Sequence, residues 1–295
     1  MQPRSLSTLE AAISTTYRAQ LQRALGDEFV VERNLAESAS AHLFIAKETA
    51  LHRRIVLKVL PLDVSTQLDA ARFRREIELT ARLAHPNIVP VLACGEVDGF
   101  MYYTMPFIEG ESLYESLSRD GAMPIARVIS ILRDLTRALS FAHGHGVVHR
   151  DVKPDNVLVE SGASLLTDFG IAKALVAATN TARTAPGMAI GTPTYVSPEQ
   201  AAGEPDVDYR TDLYSLGVLA YEVLAGHPPF AHASLRALLN AHLKERPAPI
   251  GTLRAETPSW LGELVMQLLE KRPDDRPASA TQVLQLVDAS LTIAA

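Results

Sequence analysis

The sequence predicts an α+β fold in which a small β-rich part is followed by a larger, mainly helical part. Short apolar or β-branched runs dominate from Glu28 to about Met105, and one helical pattern interrupts them. After Met105 the apolar residues recur at helical spacing. The pattern changes near Pro106, so we expect an N-terminal helix over 1–27, a small lobe over 28–105 and a large lobe over 106–290.

Composition excludes several classes of protein. The 295 residues are 47% hydrophobic, which is enough to bury a core, and carry a net charge of −6 with a pI of about 5.9. This balance argues against a nucleic-acid-binding or membrane-surface protein. The single cysteine, Cys94, cannot form an intrachain disulfide, and we expect it to be a small buried residue.

No apolar run reaches the ~18 residues that a membrane span needs, and no signal-peptide pattern is present. We therefore expect a cytoplasmic chain without a membrane segment. It could still be the cytosolic part of a longer membrane protein.

The first 27 residues predict an amphipathic helix that ends at Gly26. Two interpretations stay open for it, a helix packed against the following domain and a partner-binding helix. Its apolar stripe has a spacing of four and consists of Leu9, Ile13, Tyr17, Leu21 and Leu25.

Five strands are predicted in the small lobe, and Asp98-Gly99 predicts a hairpin turn between the last two. A helix is predicted over 68–83, closing before His85-Pro86-Asn87. The predicted strands are Phe29–Val31, Leu43–Ala46, Ile55–Leu60, Ile88–Ala93 and Met101–Met105.

Six helices are predicted in the large lobe. The Ala/Thr/Gly/Pro-rich segment 171–198 is weakly patterned, and so long a segment inside a domain is usually functional or disordered. The predicted helices are Ser112–Ser118, Ile125–His143, Thr211–Leu224, Leu235–His242, Trp260–Leu269 and Thr281–Ala289.

The segment HRDVKPDN (149–156), followed by an apolar strand and DFG (168–170), carries the chemistry. Polar side chains on loops beside short strands are typical of catalytic groups. Asn156 and Asp168 supply hard oxygen ligands suited to Mg²⁺. Asp151 could accept a hydroxyl proton and Lys153 could contact a phosphate, as phosphoryl transfer requires.

These motifs resemble those of the protein kinase family, most closely the bacterial Hanks-type (eukaryotic-like) serine/threonine kinases. HRDVKPDN resembles the catalytic loop, DFG the magnesium motif, and IVLK, ending at Lys58, the strand motif that carries the ATP-contacting lysine. The match runs in order over nearly the whole chain. The resemblance implies a bilobal kinase fold, with one helix of the small lobe of the type that the family calls helix C.

The resemblance also implies roles for further residues. It makes Asp151, Lys153, Lys58, Glu76 and Thr192 the catalytic set, with Glu76 pairing with Lys58 and Thr192 bridging Asp151 and Lys153. Lys153 and GTPTY (191–195) imply serine/threonine specificity. The structural residues that it implies are Arg150, Glu199 with its partner Arg276, and the buried helix residue Asp212.

The cofactors implied are ATP and Mg²⁺ (or Mn²⁺), the metal held by Asn156 and Asp168. Met105 would be the gatekeeper, and Pro106 to Ile108 the hinge that meets adenine. The residues expected to bind the nucleotide are Leu35, Ala36, Ser38, Ala41, Leu43, Val56, Lys58, Met105, Phe107, Ile108, Asn156, Leu158 and Asp168.

The sequence departs from the family in the glycine-rich loop, where its glycines would fall at Ala36, Ser38 and Ala41. Glycine serves there because the backbone must approach the phosphates closely. Glu37 adds negative charge nearby. We therefore expect nucleotide binding weaker than usual.

The segment after DFG contains three candidates for autophosphorylation, Thr184 first, then Thr181 and Thr179. A phosphothreonine there could dock on Arg150 and order the segment, although a solvated flexible loop is an equal alternative.

Two other functions are alternatives to a protein kinase, a pseudokinase and a small-molecule kinase. The missing glycines favour a pseudokinase that acts as a binding module or scaffold, and the intact catalytic set opposes it. An aminoglycoside-kinase-type enzyme is disfavoured because that class lacks the arginine, the lysine and the SPE motif found here. The partners expected are protein substrates bearing Ser or Thr in bacterial signal transduction, and a homodimer through the small lobe is suggested by resemblance.

Overall fold

The computed structural model describes residues 17–38, 41–60, 70–169 and 193–294, which divide into two compact units. The first unit holds the described residues up to Ala81 together with Val91–Phe107. The second holds Arg82–Pro90 and the described residues from Ile108 onward. The candidate residues Thr192, Thr184, Thr181 and Thr179 lie outside the described residues.

The first unit is built on a five-stranded antiparallel sheet with the order β1-β2-β3-β5-β4. Its one helix after the third strand, α1, is Ala70–Thr80. The strands are β1 (Phe29–Ser38), β2 (Ala41–Glu48), β3 (Arg53–Val59), β4 (Ala93–Val97) and β5 (Phe100–Pro106).

The predicted Asp98-Gly99 hairpin is confirmed. Asp98 and Gly99 join β4 to β5 with φ of 49° and 80°, the left-handed values that a tight hairpin turn needs. The strand predicted over Ile88–Ala93 is wrong. Ile88 makes only an isolated bridge to Leu166, and the paired strand begins at Ala93. A short apolar run is equally consistent with a buried connecting segment, because periodicity cannot separate the two.

Residues 17–25 are helical, and the predicted stop at Gly26 is confirmed, since Gly26 has φ of 59°. Leu21 is fully buried and Leu25 nearly so, in one cluster with apolar side chains of the sheet. Of the two interpretations of the helix, the structure supports packing against the domain. Leu9 and Ile13 lie outside the described residues.

The second unit is mainly helical and centres on the helix α5. All six helices predicted for this part are confirmed, with ends that differ by a few residues. The helices are α2 (Leu113–Asp120), α3 (Ile125–Gly144), α4 (Pro198–Ala202), α5 (Arg210–Ala225), α6 (Leu235–Lys244), α7 (Ile250–Leu253), α8 (Ser259–Leu268) and α9 (Ala280–Ala294).

Helix α5 is buried on nearly every side, which explains why apolar residues occur on all its faces. Gly217 lies against α8, where a Cβ would stand 2.7 Å from Leu268 Cβ, so close packing requires glycine. A small antiparallel sheet lies in the same unit, in the order β6 (Glu111–Ser112), β7 (Val157–Glu160) and β8 (Ala163–Leu166). Among the described residues, no helix is long and apolar enough to cross a bilayer.

Candidate active site

The segment His149–Asn156 joins α3 to β7 and is anchored by the buried His149 ring. The Asp151 N–H donates to His149 Nδ1 at 3.2 Å. Since a backbone N–H can only donate, Nδ1 is the acceptor and Nε2 carries the proton, which it donates to Thr167 O at 2.8 Å. Phe169 packs edge-on against this ring at 4.6 Å. The histidine thereby ties the catalytic segment to the DFG segment.

Asp212, fully buried on α5, organises the first turn of this segment. Its carboxylate accepts the N–H groups of His149 at 2.8 Å and Arg150 at 2.7 Å, and it contacts His143 Nε2 at 2.8 Å. Burial alone would raise the pKa of Asp212. The His143 hydrogen bond, electrostatic interactions with the His143 and His149 rings, and the Arg150 N–H outweigh burial and hold this pKa below its ordinary value.

Arg150 has φ of 68°, a conformation that costs a non-glycine residue about 1–3 kcal/mol. The hydrogen bond from its N–H to Asp212 stabilises that turn. The turn brings the next residue, Asp151, to a half-buried position with its side chain 40% exposed.

Asp151, Lys153 and Asn156 come together in one hydrogen-bonded group. Lys153 Nζ donates to Asp151 Oδ2 at 2.8 Å, and Asn156 Nδ2 donates to the same oxygen at 2.9 Å and to Asp151 O at 2.7 Å. Both side-chain contacts fall on Oδ2, so Oδ1 remains available as an acceptor within the described part of the chain. A carboxylate with one oxygen fixed and the other available is suited to accept a proton from a hydroxyl.

Asn156 and Asp168 are linked through the backbone. The Thr167 N–H donates to Asn156 O at 3.0 Å, which sets the neighbouring Asp168 beside the catalytic segment. Because Asn156 Nδ2 donates to Asp151, its Oδ1 is the atom left for a cation. Asp168 has φ of 68°, a second left-handed non-glycine residue in the site.

An amide oxygen and a carboxylate fit Mg²⁺, which takes few protein ligands and completes its shell with phosphate oxygens and water. Within the described ranges no group of three His, Cys, Asp or Glu side chains could hold a metal ion. A two-ligand site of this kind needs no such group.

Four candidate nucleotide-binding residues share one face of the sheet in the first unit. Leu43 pairs with Lys58 across β2 and β3, and Val56 pairs with Met105 across β3 and β5. Since alternate residues of a strand share a face, all four side chains lie on the same side. The Lys58 ammonium stands 5.9 Å from the ring centroid of Tyr103, its partner on β5.

The residues at the expected glycine positions are strand residues. Ala36 and Ser38 belong to β1, with a register irregularity between Asn34 and Ala36, and Ala41 begins β2 and is fully buried. Among the residues that the structure describes, positive φ does not occur at these three positions. Their backbone conformation therefore does not require glycine. Leu35 on β1 is exposed.

The remaining nucleotide candidates are half-buried. Phe107 and Ile108 follow β5, Leu158 lies on β7 opposite Leu165, and Glu76 lies on α1. The pairing of Glu76 with Lys58 stays a prediction, as does the assembly of the candidates of both units around one nucleotide.

The SPE segment forms the start of α4. Ser197 caps this helix, and Glu199 makes a bidentate ion pair with Arg276, both contacts at 2.8 Å. Both side chains are buried, and Arg276 also donates to three backbone carbonyls, so the pair is fully hydrogen-bonded. Gln200 Nε2 donates to Arg150 O at 3.0 Å and ties this helix to the catalytic segment.

Sequence reasoning missed His143, His149 and Gln200 as positioning residues. His149 lies inside the motif, so its position was visible although its role was not. His143 is separated from Asp212 by 69 positions, and only the fold brings them together.

Comparison with known proteins identifies the class to which this fold and site belong. The family model described as a protein kinase domain matches residues 29–287, and the chain belongs to this family. The α+β kinase fold predicted from the sequence is thereby confirmed.

The particular relatives are bacterial. The chain is 38% identical to serine/threonine-protein kinase PknB of Mycolicibacterium smegmatis, over 88% of this chain and 42% of that protein. It is 38% identical to serine/threonine-protein kinase pkn3 of Myxococcus xanthus, over 88% of this chain and 50% of that protein. It is also 37% identical to pkn2 of the same organism, over 90% of this chain and 33% of that protein.

The resemblance to bacterial serine/threonine kinases is confirmed by these matches. The chain spans between a third and a half of the length of these relatives.

Proposed function

We propose that the chain is an ATP-dependent serine/threonine protein kinase that transfers the γ-phosphate to Ser or Thr hydroxyls of proteins in bacterial signal transduction. The observation that carries the proposal is the Asp151 carboxylate, fixed through Oδ2 by Lys153 and Asn156. The three side chains lie on a segment whose first backbone N–H groups donate to the buried Asp212 carboxylate.

Each residue of this group has a distinct task. Asp151 orients the acceptor hydroxyl and takes its proton as the hydroxyl oxygen bonds to the γ-phosphorus and the bond to ADP breaks. Lys153 contributes positive charge next to the transferring group. Lys153 also contacts Asp151 and fixes the orientation of its carboxylate.

The nucleotide side of the proposal rests on the candidates described above. Bound Mg²⁺ (or Mn²⁺) would neutralise the charge of the triphosphate, with Asn156 Oδ1 and Asp168 as its protein ligands. Lys58 would contact the phosphates, with Glu76 as its ion-pair partner. Thr192 would bridge Asp151 and Lys153. Val56, Leu43 and Leu158 would enclose the adenine, with Met105, Phe107 and Ile108 at its edge.

The test is transfer of radiolabelled phosphate from Mg·ATP to a basic protein substrate, followed by phosphoamino-acid analysis. We expect label on phosphoserine and phosphothreonine, and a loss of at least about 100-fold in the Asp151→Asn variant. Label on phosphotyrosine alone, or no label with any substrate, would contradict the proposal.

The alternative is a pseudokinase that binds partners without transfer, and the substitutions at Ala36, Ser38 and Ala41 are the observation that favours it. The intact Asp151 group opposes it. A single-turnover assay distinguishes an active kinase from a pseudokinase. A pseudokinase would produce no phosphoprotein even at saturating Mg·ATP and high enzyme concentration.

Location and assembly belong to the same proposal. We place the kinase in the cytoplasm, as a separate protein or as the cytosolic part of a longer one. A homodimer through the first unit is the assembly that the family resemblance suggests. Analytical ultracentrifugation at several concentrations would test it.

A further inference from the structure

The helix over residues 17–25 lies outside the family match, which begins at residue 29, yet it is an integral part of the first unit. It covers the sheet face opposite to that of Lys58. Leu21 is fully buried in the apolar cluster that also contains Phe44 and Leu57. This face of the sheet is therefore covered by a segment that lies outside the family match.

The helix is also hydrogen-bonded to the edge strand. Gln22 Nε2 donates to Phe29 O at 2.9 Å, and Gln22 Oε1 accepts the Val31 N–H at 2.7 Å. The Gln22 amide thus occupies the donor and acceptor positions that a neighbouring strand would use on β1. These two bonds fix where β1 begins relative to the helix.

Tyr17, at the other end of the described helix, contacts the start of β2. Its ring centroid stands 4.4 Å from that of His42, and its edge-on neighbour is Phe100 at 5.3 Å. The Tyr17 hydroxyl donates to Leu60 O at 3.4 Å. The ring therefore bridges the ends of β2, β3 and β5 on the helix side of the sheet.

His42 lies between two candidate nucleotide-binding residues, Ala41 and Leu43, whose side chains point to the opposite face because strand residues alternate. It also pairs with Glu37 of β1 and Val59 of β3. A side chain that packs on His42 thus restrains the backbone of the nucleotide candidates without touching the nucleotide.

We propose that Tyr17 is a positioning residue for the nucleotide, acting through the Tyr17–His42 contact to hold Ala41–Leu43 in place. This inference rests on the proposed function. Its physical basis is that aromatic packing restrains β2, which begins at Ala41, one of the three positions where this chain carries alanine or serine and the family has glycine.

The experiment compares two truncations on the same helix. Tyr17→Ala removes the ring on His42. Leu25→Ala removes a buried side chain of the same apolar cluster eight residues away, about 12 Å along the helix axis. Both variants should lower the melting temperature. We expect only Tyr17→Ala to raise the KM for ATP, by about three- to ten-fold, with kcat nearly unchanged. Tyr17→Phe, which keeps the ring, should restore the wild-type KM.

Hydrogen exchange followed by mass spectrometry gives a second readout that does not depend on catalysis. In Tyr17→Ala the amides of residues 41–44 should exchange faster than in wild type, and in Leu25→Ala they should not. Equal exchange and equal KM in Tyr17→Ala and wild type would overturn the inference, and so would equal effects of the two truncations. If the wild-type chain transferred no phosphate, the proposed function would fail, while the exchange comparison would still decide the role of Tyr17.

Discussion

The candidate catalytic segment of the second unit (149–156) and the candidate nucleotide-binding sheet of the first unit are positioned by different forces. In the second unit, buried hydrogen bonds converge on Asp212 and His149 and hold left-handed backbone at Arg150 and Asp168. In the first unit, apolar packing of a sheet and a helix does the positioning, and Leu21 is its most buried helical residue. Polar networks specify one geometry, whereas apolar faces tolerate substitution.

This difference explains where the sequence keeps the family pattern and where it departs from it. Within HRDVKPDN, the side chains of His149, Arg150, Asp151, Lys153 and Asn156 all make hydrogen bonds. Ala36, Ser38 and Ala41 lie in strands without positive φ among the residues described, so small side chains can replace glycine. The chain thus keeps the family motif where polar hydrogen bonds fix the backbone, and departs from it in the strands of the first unit.

The largest effect on stability is expected from Asp212→Asn. The N–H groups of His149 and Arg150 bond to the two carboxylate oxygens of Asp212. An amide has only one oxygen and no charge, so one of these buried N–H groups would face Nδ2 and lose its acceptor. We expect a loss of about 3 kcal/mol in the free energy of unfolding and strongly reduced transfer. Urea denaturation measures the first effect. Tyr17→Ala is the matched variant in the other unit, and a smaller loss for Asp212→Asn than for Tyr17→Ala would break the comparison.

Acid should destabilise the second unit through His242, which contacts Tyr214 OH at 3.0 Å and packs edge-on against Phe230. Burial, followed by the charge of Lys271, lowers the pKa of His242 to about 4. The unfolded chain binds the proton near pH 6.5 and the folded chain does not, so stability falls as the pH drops from about 6.5 to about 4. The loss can reach about 3 kcal/mol.

His242→Asn keeps a polar atom near Tyr214 and removes the titration. Its free energy of unfolding should therefore change less between pH 7 and pH 4.5 than that of the wild type. An identical pH dependence in both proteins would show that His242 is not the acid-sensitive group.

A phosphothreonine in the segment after DFG would add an ion pair with Arg150 to the polar network of the second unit. We expect phosphate on Thr184, and secondarily on Thr181 or Thr179, because a phosphothreonine carries nearly two negative charges and Arg150 offers a guanidinium. Mass spectrometry of protein expressed with and without Asp151→Asn measures this. Equal phosphate on the two proteins would exclude autocatalysis.

The smallest effect is expected from restoring glycine at positions 36, 38 and 41. The KM for ATP should fall a few-fold because the backbone could approach the phosphates more closely. The free energy of unfolding should fall by about 1–2 kcal/mol, since glycine in strands costs conformational entropy. An unchanged ATP affinity and turnover would show that alanine and serine serve the site equally well.

Much of the fold could be predicted because its elements carry local signals. The period of α3, the Asp98-Gly99 turn and the Gly26 stop are all encoded within a few residues. The order of the motifs likewise predicted which residues meet in the second unit, including Glu199 and Arg276.

The rest depends on contacts distant in sequence. Ile88 is buried and makes only an isolated bridge to Leu166 of β8, and no local pattern separates such a residue from one in a paired strand. His143 and Gln200 act on partners that are 69 and 50 positions away. The short elements α7 and β6 have too few residues to show a period.

The most direct test of the central claim measures binding and transfer separately at Asp151. The account predicts that Asp151→Asn binds Mg·ATP with an affinity close to that of the wild type by calorimetry, because the side chain acts on the hydroxyl. In single turnover at matched nucleotide occupancy, it should transfer phosphate at least about 100-fold more slowly. Transfer at the wild-type rate by Asp151→Asn would contradict the account.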